Sequence, residues 1–511
     1  MSHAWRNLAP VNALVLGALV VGLLNNVAIA AWFGLTRDVD AFYAAMMLPS
    51  LFMFLCVDYL GKNFLPVLSL ARKEGEASAS QLVSVVVTIM ALVGVLVAVA
   101  LASGGSLLFA VLLPGFEDAD ITLVTRYFWI MAPAIALMAI NTFHEYVCQY
   151  DEDFVSVSAI RLALPVMNLI AVVALAPVLR EYCLPVGYLA GHATMFVLLA
   201  RRARYAYRPR LVLRKHLERQ VFANAAIVMS TGFIARTRSI VINALASTLG
   251  GGAITALAFA TKLTEPLERA AFSGARMLIF SRAARLYVDD RIQELGRLYA
   301  VATRVSFMVL APLLAWVALN SEVLVAALFA RGEFTLEMTA LVGAVLAASV
   351  PSVLVAGTGR LLANAFYAMG RVGVPAVVMP FGMLVFVAAA LPLARLLGAQ
   401  GIGLAITLSA TSVCAALYAA LAHAIRTAPW WGHVALKSLG YAALGTAVMG
   451  ALTIAARELG GHTLAAACAS LLCGTAVYFG WLAAAGDDAL RTVTRIGRQW
   501  FVGQPQRVAP P

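Results

Sequence analysis

The chain has 511 residues, of which 62% are hydrophobic and only 12% are charged. A soluble domain is about 45–50% apolar and about 25% charged, so 37 basic and 25 acidic residues are too few to cover a soluble protein of this length. The mean hydropathy of +0.89 indicates a polytopic membrane protein and excludes a secreted domain, a soluble enzyme and a disordered chain. The net charge of +12 does not indicate nucleic-acid binding, because the basic residues lie mostly in loops between apolar runs.

Apolar runs long enough to cross a bilayer, which takes about 20 residues, recur along the whole chain. They predict an all-α fold with about fourteen transmembrane helices and no large soluble insertion. The first run begins near Pro10, after a single Arg6, and is too long for a signal peptide. The predicted spans are 9–34, 41–66, 81–114, 122–149, 155–177, 184–201, 221–249, 254–280, 300–320, 339–369, 373–397, 401–425, 436–456 and 463–485.

The basic residues collect in alternate loops, and cytoplasmic loops are the ones that carry excess Lys and Arg. With a cytoplasmic N-terminus, the inside loop at 201–219 alone holds eight basic residues, whereas all the outside loops together hold five arginines. The acidic inside loop Asp151-Glu-Asp153 is the exception. This pattern predicts a multi-pass protein of the cytoplasmic (inner) membrane with both termini in the cytoplasm.

Six spans precede the basic loop at 201–220, six more follow it to about residue 425, and a final pair comes after them. Pseudo-symmetric halves with a substrate site between them are a common plan of transporters. The predicted organisation is an N-terminal lobe at 1–200, the cytoplasmic linker at 201–220, a C-terminal lobe at 221–425, an appended helical pair at 426–485 and a cytoplasmic tail at 486–511.

The sequence contains none of the short motifs that mark an enzyme or an ATP motor. It lacks GxxxxGK[ST], HExxH and GxSxG, and its seven histidines are scattered. The six cysteines form no CxxC pair and are interpreted as small core residues. We therefore predict a transporter without catalytic residues, metal or other cofactor.

Charged residues inside membrane helices are costly and usually face a cavity or a partner. Asp58 and Lys62 on the second span are four residues apart, so they either pair with each other or line a pathway. On the seventh span, Arg236 and Arg238 lie too deep to reach either surface easily. Residues two apart on a helix point about 200° from each other, so one of the two arginines is expected to face the cavity.

The eighth span is the most highly charged. Lys262, Glu265 and Arg269 fall on one face, and Arg276 continues that face. The pattern fits a salt-bridged structural helix, or a cationic wall for an anionic ligand such as a phosphate or diphosphate head group. Arg360 on the tenth span either joins this wall or anchors the inner interface.

Several short segments of the chain match a known family pattern. They are Trp32-Phe-Gly34, Asp40-Ala-Phe-Tyr43, Leu48-Pro-Ser50, Asn63-Phe-Leu-Pro-Val-Leu68, Ala260-Thr-Lys-Leu263, Leu328-Phe-Ala-Arg-Gly-Glu-Phe-Thr335 and Leu362-Ala-Asn-Ala-Phe-Tyr-Ala368. These segments resemble the MurJ/MviN family of lipid II flippases, in the multidrug/oligosaccharidyl-lipid/polysaccharide (MOP) exporter superfamily. The likeness covers most of residues 10–425.

The resemblance implies two lobes that move an undecaprenyl-diphosphate-linked saccharide to the outer leaflet by alternating access. It also implies an energy source in the membrane potential or an ion gradient, and membrane lipids and glycan-synthesis enzymes as partners. Substrate binding would fall to six cations, and conformational coupling to four other residues. These are Lys262, Arg236, Arg238, Arg269, Lys62 and Arg276 for binding, and Asp40, Asp58, Glu265 and Gly22 for coupling.

The chain departs from the family pattern where the family carries arginines. In the first span Leu19 and Asn25 replace two arginines, while Gly22 is kept, and in the second span Phe52 replaces a third. Lys262 stands where the family has an arginine. The substrate is therefore expected to be lipid II or another lipid-linked glycan, with Arg236, Arg238 and Lys62 replacing the missing cations from other walls of the cavity. Two other readings remain: an ion-coupled drug antiporter of the same superfamily, and a non-transporting scaffold for glycan synthesis.

Overall fold

A computed structural model describes residues 2–52, 58–209, 211, 237–425 and 430–484, and the regular structure in these ranges is helical throughout. This confirms the predicted all-α class. Within a bilayer the backbone N–H and C=O groups find no water, so a spanning segment must satisfy them internally, as an α-helix does.

The first part of the chain forms ten α-helices joined by short connections. A single 3-10 turn, Arg180–Tyr182, precedes the tenth. The helices are α1 (Ser2–Phe33), α2 (Arg37–Ala45), α3 (Met47–Phe52), α4 (Asp58–Glu74), α5 (Glu76–Ser103), α6 (Gly105–Leu112), α7 (Asp118–Tyr150), α8 (Phe154–Arg161), α9 (Ala163–Leu179) and α10 (Cys183–Arg202).

The second part continues with helices on both sides of the gap at 426–429. They are α11 (237–247), and α12 (Ala253–Val288), α13 (Ile292–Leu319), α14 (Ser321–Phe329), α15 (Leu336–Ser349), α16 (Pro351–Ala368), α17 (Gly373–Ala424), α18 (Trp430–Gly460) and α19 (Leu464–Ala484). Gly398 has a φ of 60° inside α17, where two predicted spans meet, so α17 is two helices joined at this glycine.

Nine stretches within the described ranges are long and apolar enough to cross a membrane. The stretches Phe154–Arg202 and Gly373–Ala424 each correspond to two predicted spans, so eleven of the fourteen predicted spans overlap the nine stretches for most of their length. The predicted spans at 41–66, 221–249 and 254–280 do not. The first two include residues outside the described ranges, and the third carries the charges of α12. The count of fourteen therefore stays a prediction.

Packing divides the chain into two compact units. Unit 1 contains Met1–Phe259 and Phe329–Thr339. Its interior is built around α7, where Phe128, Met131 and Ile135 are fully buried. The capping box at the start of α7 fixes this helix, because the backbone N–H of Glu117 donates to the Asp120 carboxylate over 3.2 Å.

Unit 2 contains Ala260–Leu328 and Ala340–Pro511. One part of its core gathers Tyr299, Leu362 and Leu417 from α13, α16 and α17. The last two helices pack on α13 through polar contacts as well as apolar ones. The indole N–H of Trp316 donates to the carbonyl of Ala467 over 3.0 Å, which ties α19 to α13. The predicted lobes at 1–200 and 221–425 and the appended pair at 426–485 stay predictions. The two units are defined by packing contacts, whereas the lobes are defined by their proposed role in transport.

The cysteines in the described ranges are free. Cys148, Cys183 and Cys414 are buried, as predicted for small core residues, but Cys468 and Cys473 on α19 are exposed. The prediction is wrong for these two, because an apolar run in a membrane helix marks its lipid-facing side as well as its packed side.

Candidate functional site

Asp40 in unit 1 is completely buried and its carboxylate accepts three hydrogen bonds at the start of α12. The donors are the backbone N–H of Gly252 at 2.6 Å, the backbone N–H of Thr255 at 2.7 Å and the Thr255 hydroxyl at 2.6 Å. A carboxylate at a helix N-terminus satisfies otherwise unpaired N–H groups and interacts favourably with the helix dipole. Asp40 of α2 therefore holds the first turn of α12.

The Asp40 carboxyl lies just outside the predicted spans 9–34 and 41–66. Burial raises its pKa to about 6, while the hydrogen bonds from Thr255 and Gly252 and the charge of Arg37 act in the opposite direction. The group is therefore ionised at pH 7 and becomes protonated over a mildly acidic range.

The segment 330–338 packs against the end of α1 in the same unit. The N–H of Glu333 donates to the carbonyl of Ala31 over 3.0 Å. Gly332 has a φ of 61°, and a Cβ there would lie 2.1 Å from the Ala31 carbonyl oxygen, so only glycine fits. Residues 330–335 belong to one of the segments that carry the family resemblance. They thus pack against the end of α1, which contains another such segment, Trp32-Phe-Gly34.

Four aromatic rings close this region. Phe259 stacks on Phe329 with ring centroids 5.0 Å apart, and Phe334 lies 5.9 Å from Phe329. Tyr43 meets Phe259 edge-on at 6.3 Å. We call these rings, the Asp40 contacts with α12 and the contacts of 330–338 with α1 the outer closure, since the predicted topology places them on the outside.

The charged face of α12 lies further along the same helix, in unit 2. Lys262, Arg269 and Arg276 recur every seven residues, so they share one side of the helix, and we call them the cationic stripe. Lys262 and Arg269 are exposed and Arg276 is half-buried.

Two of the basic groups near this face are neutralised by neighbours. Arg269 pairs with the exposed Glu265 over 3.3 Å, and Arg360 of α16 pairs with Glu268. The structure therefore joins Arg360 to α12. Among the described residues Lys262 and Arg276 have no ion pair, so the two ends of the stripe carry uncompensated charge.

Pro266 lies within α12 between the charged positions. Proline has no N–H, so the carbonyl of Lys262, four residues earlier, receives no helical hydrogen bond from it. A backbone acceptor and an ammonium group thus occur at the same exposed residue, which suits a polar, hydrated surface.

A model of the lipid II flippase MurJ family matches residues 29–469. The chain belongs to that family. The curated lipid II flippase MurJ of Burkholderia cenocepacia is 24% identical over 386 residues, which cover 73% of this chain and 75% of that protein.

Solved structures of two transporter groups share the fold. A lipid II flippase MurJ in an inward closed conformation has a TM-score of 0.76 at 14% identity, covering 92% of this chain and 99% of that one. An inward-facing multidrug resistance MATE transporter of the MOP superfamily has a TM-score of 0.67 at 13% identity, covering 80% and 94%. At these identities the likeness shows the architecture alone, and the family match distinguishes between the two groups.

Five other predicted site residues belong neither to the cationic stripe nor to the outer closure as defined above. Arg236 lies outside the described residues, as do the side chains of Asp58 and Lys62. Arg238 is half-buried on α11. Gly22 is half-exposed on α1, with open space where a Cβ would be. Their predicted roles stay predictions.

The structure also places residues that the sequence did not single out. Thr255 supplies two of the three donors to Asp40, and Asn26 accepts from the Tyr43 hydroxyl at 3.5 Å. Glu268 is another such residue, because it pairs with Arg360. Its partner on α16 could not be read from the sequence, because pairing between helices distant in sequence leaves no local pattern.

Proposed function

We propose that this chain translocates a saccharide linked to a polyprenyl diphosphate from the inner to the outer leaflet of the cytoplasmic membrane. The observation that carries this proposal is membership of the lipid II flippase MurJ family over residues 29–469. The cationic stripe of α12 supports it, because exposed charges on a membrane helix line a polar interior and a diphosphate needs cations.

The basic residues of the stripe differ in how readily they can bind the head group. Lys262 has no ion pair among the described residues and acts as a point charge for a phosphate oxygen. Arg269 is held by an exposed i,i+4 pair with Glu265, and such pairs contribute only about 0.3–0.5 kcal/mol. A diphosphate can therefore replace Glu265 and bind the planar guanidinium of Arg269 through two hydrogen bonds.

Arg276 lies fourteen residues beyond Lys262, about 21 Å along an α-helix. The two cannot bind the same diphosphate at once. We assign Arg276 to an inner stage of the path and Lys262 with Arg269 to a later stage, while the lipid tail remains in the hydrocarbon. Arg236, Arg238 and Lys62 are proposed to add cations from other helices.

The energy is proposed to come from the membrane potential or an ion gradient. An inside-negative potential favours outward movement of an anionic head group by about 2.3 kcal/mol per charge for each 100 mV. Asp40 is proposed to hold the outer closure in one state of an alternating-access cycle and to release it in another. Asp58, Glu265 and Gly22 are assigned to the accompanying conformational change.

We propose both termini on the cytoplasmic side and cytoplasmic glycan-synthesis enzymes as partners. A drug antiporter would share the MATE-like fold, but a cationic drug requires acidic groups, and the uncompensated charges of α12 are basic. A non-transporting scaffold would have no use for an exposed ammonium group within a membrane helix.

The test is complementation of a Gram-negative host depleted of its own lipid II flippase, followed by growth and by labelling of lipid II in the outer leaflet. Rescue that is lost in Lys262→Ala and kept in Arg126→Ala supports the proposal; Arg126 is an exposed arginine on α7. Failure of the wild-type chain, with the protein present in the membrane, contradicts lipid II as the substrate. The same assay with other lipid-linked glycans then follows.

A further inference from the structure

Arg37, at the start of α2, uses all three nitrogens of its guanidinium group. Nε donates to the Asp120 carboxylate at 3.0 Å, Nη2 to the carbonyl of Gly115 at 2.7 Å and Nη1 to the carbonyl of Ser247 at 3.4 Å. The guanidinium carbon also lies 4.3 Å from the centre of the Phe116 ring. One side chain thus connects α2, the loop before α7 and the end of α11.

The two segments that Arg37 joins also touch each other directly. The N–H of Gly115 donates to the Ser247 hydroxyl over 3.2 Å. A Cβ on Gly115 would lie 2.3 Å from the Ser247 carbonyl oxygen and 2.4 Å from Cα of Thr248, so only glycine allows this approach. On the α7 side the arrangement is rigid, because Asp120 also belongs to the capping box of that helix.

On the α11 side the helix end leads into a turn rich in glycine. The turn between α11 and α12 contains Gly250 and Gly252 with φ values of 98° and 85°, backbone conformations that glycine adopts at little cost. The ion pair itself is partly hydrated, with side-chain exposures of 27% for Arg37 and 19% for Asp120. Water can therefore replace its hydrogen bonds when the segments separate, unlike those of the fully buried Asp40.

We propose that Arg37 is a positioning residue that closes the end of α11 onto the loop 113–118, and that its release accompanies each opening of the outer closure. This inference rests on the proposed transport function. Arg37 differs from Asp40 in acting on α11 and the 113–118 loop rather than on the first turn of α12. It also differs in having charge-assisted bonds to two backbone carbonyls, which bring the segments together without a dedicated side-chain partner on α11.

The experiment is amide hydrogen exchange on the full-length protein in lipid nanodiscs, followed over residues 112–121 and 243–249. In Arg37→Ala the Gly115 amide and its neighbours should exchange at least tenfold faster than in wild type. Arg37→Lys keeps the charge but loses the planar guanidinium group with its several donors. Its exchange rate should lie between those of wild type and Arg37→Ala. Arg126→Ala removes an exposed arginine of α7 and should match wild type.

The same variants are then tested for rescue and for outer-leaflet labelling of lipid II. Faster exchange together with at least a threefold change in labelling rate for Arg37→Ala supports the proposal. Unchanged exchange in Arg37→Ala, or in Arg37→Lys if the alanine variant does not accumulate, overturns the closing role. Faster exchange with an unchanged labelling rate overturns the link to the transport cycle. If wild type itself fails to rescue, the proposed function falls, and exchange alone still decides whether Arg37 holds these segments.

Discussion

The first turn of α12 and the cationic stripe further along the same helix differ in how their charges are satisfied. At its first turn, the Asp40 carboxylate is fully buried and every one of its hydrogen bonds is to α12 or to the residue before it. Seven residues after Thr255, Lys262 is exposed and has no ion pair among the described residues. The helix is thus fixed by a satisfied anion at one end and presents an unsatisfied cation further along.

This difference suits Asp40 to a structural contact and Lys262 to ligand binding. If the Asp40 carboxylate withdraws, the buried donors that it satisfies are left unpaired, so it suits a contact that defines a state. An exposed cation loses little when it exchanges water for an anionic ligand and suits a site that loads and unloads. Changes at Asp40 should therefore alter which state the protein occupies, while changes at Lys262 should alter what it binds.

The largest effect is expected for Asp40→Ala. It leaves two backbone N–H groups and the Thr255 hydroxyl without their acceptor, and a buried unpaired donor costs about 1–3 kcal/mol. Hydrogen exchange at the amides of 252–256 should become at least 100-fold faster.

Asp38→Ala is the matched control, two residues away. Burial and the nearby carboxylates of Glu181 and Asp120 raise the pKa of Asp38. Among the described residues the donors at 252 and 255 bond to Asp40 and not to Asp38, so removal of the Asp38 carboxylate should leave exchange at 252–256 unchanged. Equal exchange in Asp40→Ala and wild type would show that Asp40 does not hold α12.

The next largest effect is expected for transport by Lys262→Ala. A hydrogen bond to a charged group contributes about 1.5–3 kcal/mol, so the rate of outer-leaflet labelling should fall at least tenfold. Lys262→Arg should keep most of the rate because it keeps the cation. A wild-type rate in Lys262→Ala, at equal protein level, would remove this residue from the site.

The pH dependence of the outer closure is expected to be smaller. In the closed state the buried Asp40 carboxyl has a pKa of about 6, whereas a hydrated aspartate has a pKa of about 3.9. Between these values the closed state binds more protons, so acidification from pH 7 to pH 5 should favour closure by about tenfold over a state with hydrated Asp40. This gain is lost as the pH rises through 6.

Exchange at 252–256, corrected for the intrinsic pH dependence of amide exchange, measures this shift. Asp40→Ala should abolish it. A wild-type closure that weakens on acidification would show that the hydrogen bonds to the carboxylate outweigh its burial.

The smallest effect is expected for Glu265→Gln. It removes an exposed i,i+4 pair with Arg269, a change of about 0.3–0.5 kcal/mol, and leaves Arg269 freer for an anion. Labelling rates should stay within about twofold of wild type, or rise slightly. A tenfold loss would instead assign Glu265 to conformational coupling.

Sequence patterns predicted the helices and the charged face of α12 well, because hydropathy and three-and-four spacing are local signals. They did not predict which charges are already paired. Glu268 and Arg360 are ninety-two positions apart in sequence, and only the packing of α12 with α16 brings them together. Arg37 likewise has no sequence pattern that marks it, because its three partners lie in two segments far from it in sequence, 115–120 and the end of α11.

The most direct test of the account is binding of a polyprenyl-diphosphate-linked saccharide to the purified full-length protein in nanodiscs. Native mass spectrometry would compare wild type, Lys262→Ala, Lys262→Arg and Asp40→Ala. The account predicts that Lys262→Ala binds at least tenfold more weakly and that Lys262→Arg stays within about twofold of wild type. Equal binding by wild type and Lys262→Ala would contradict the assignment of α12 as the head-group site.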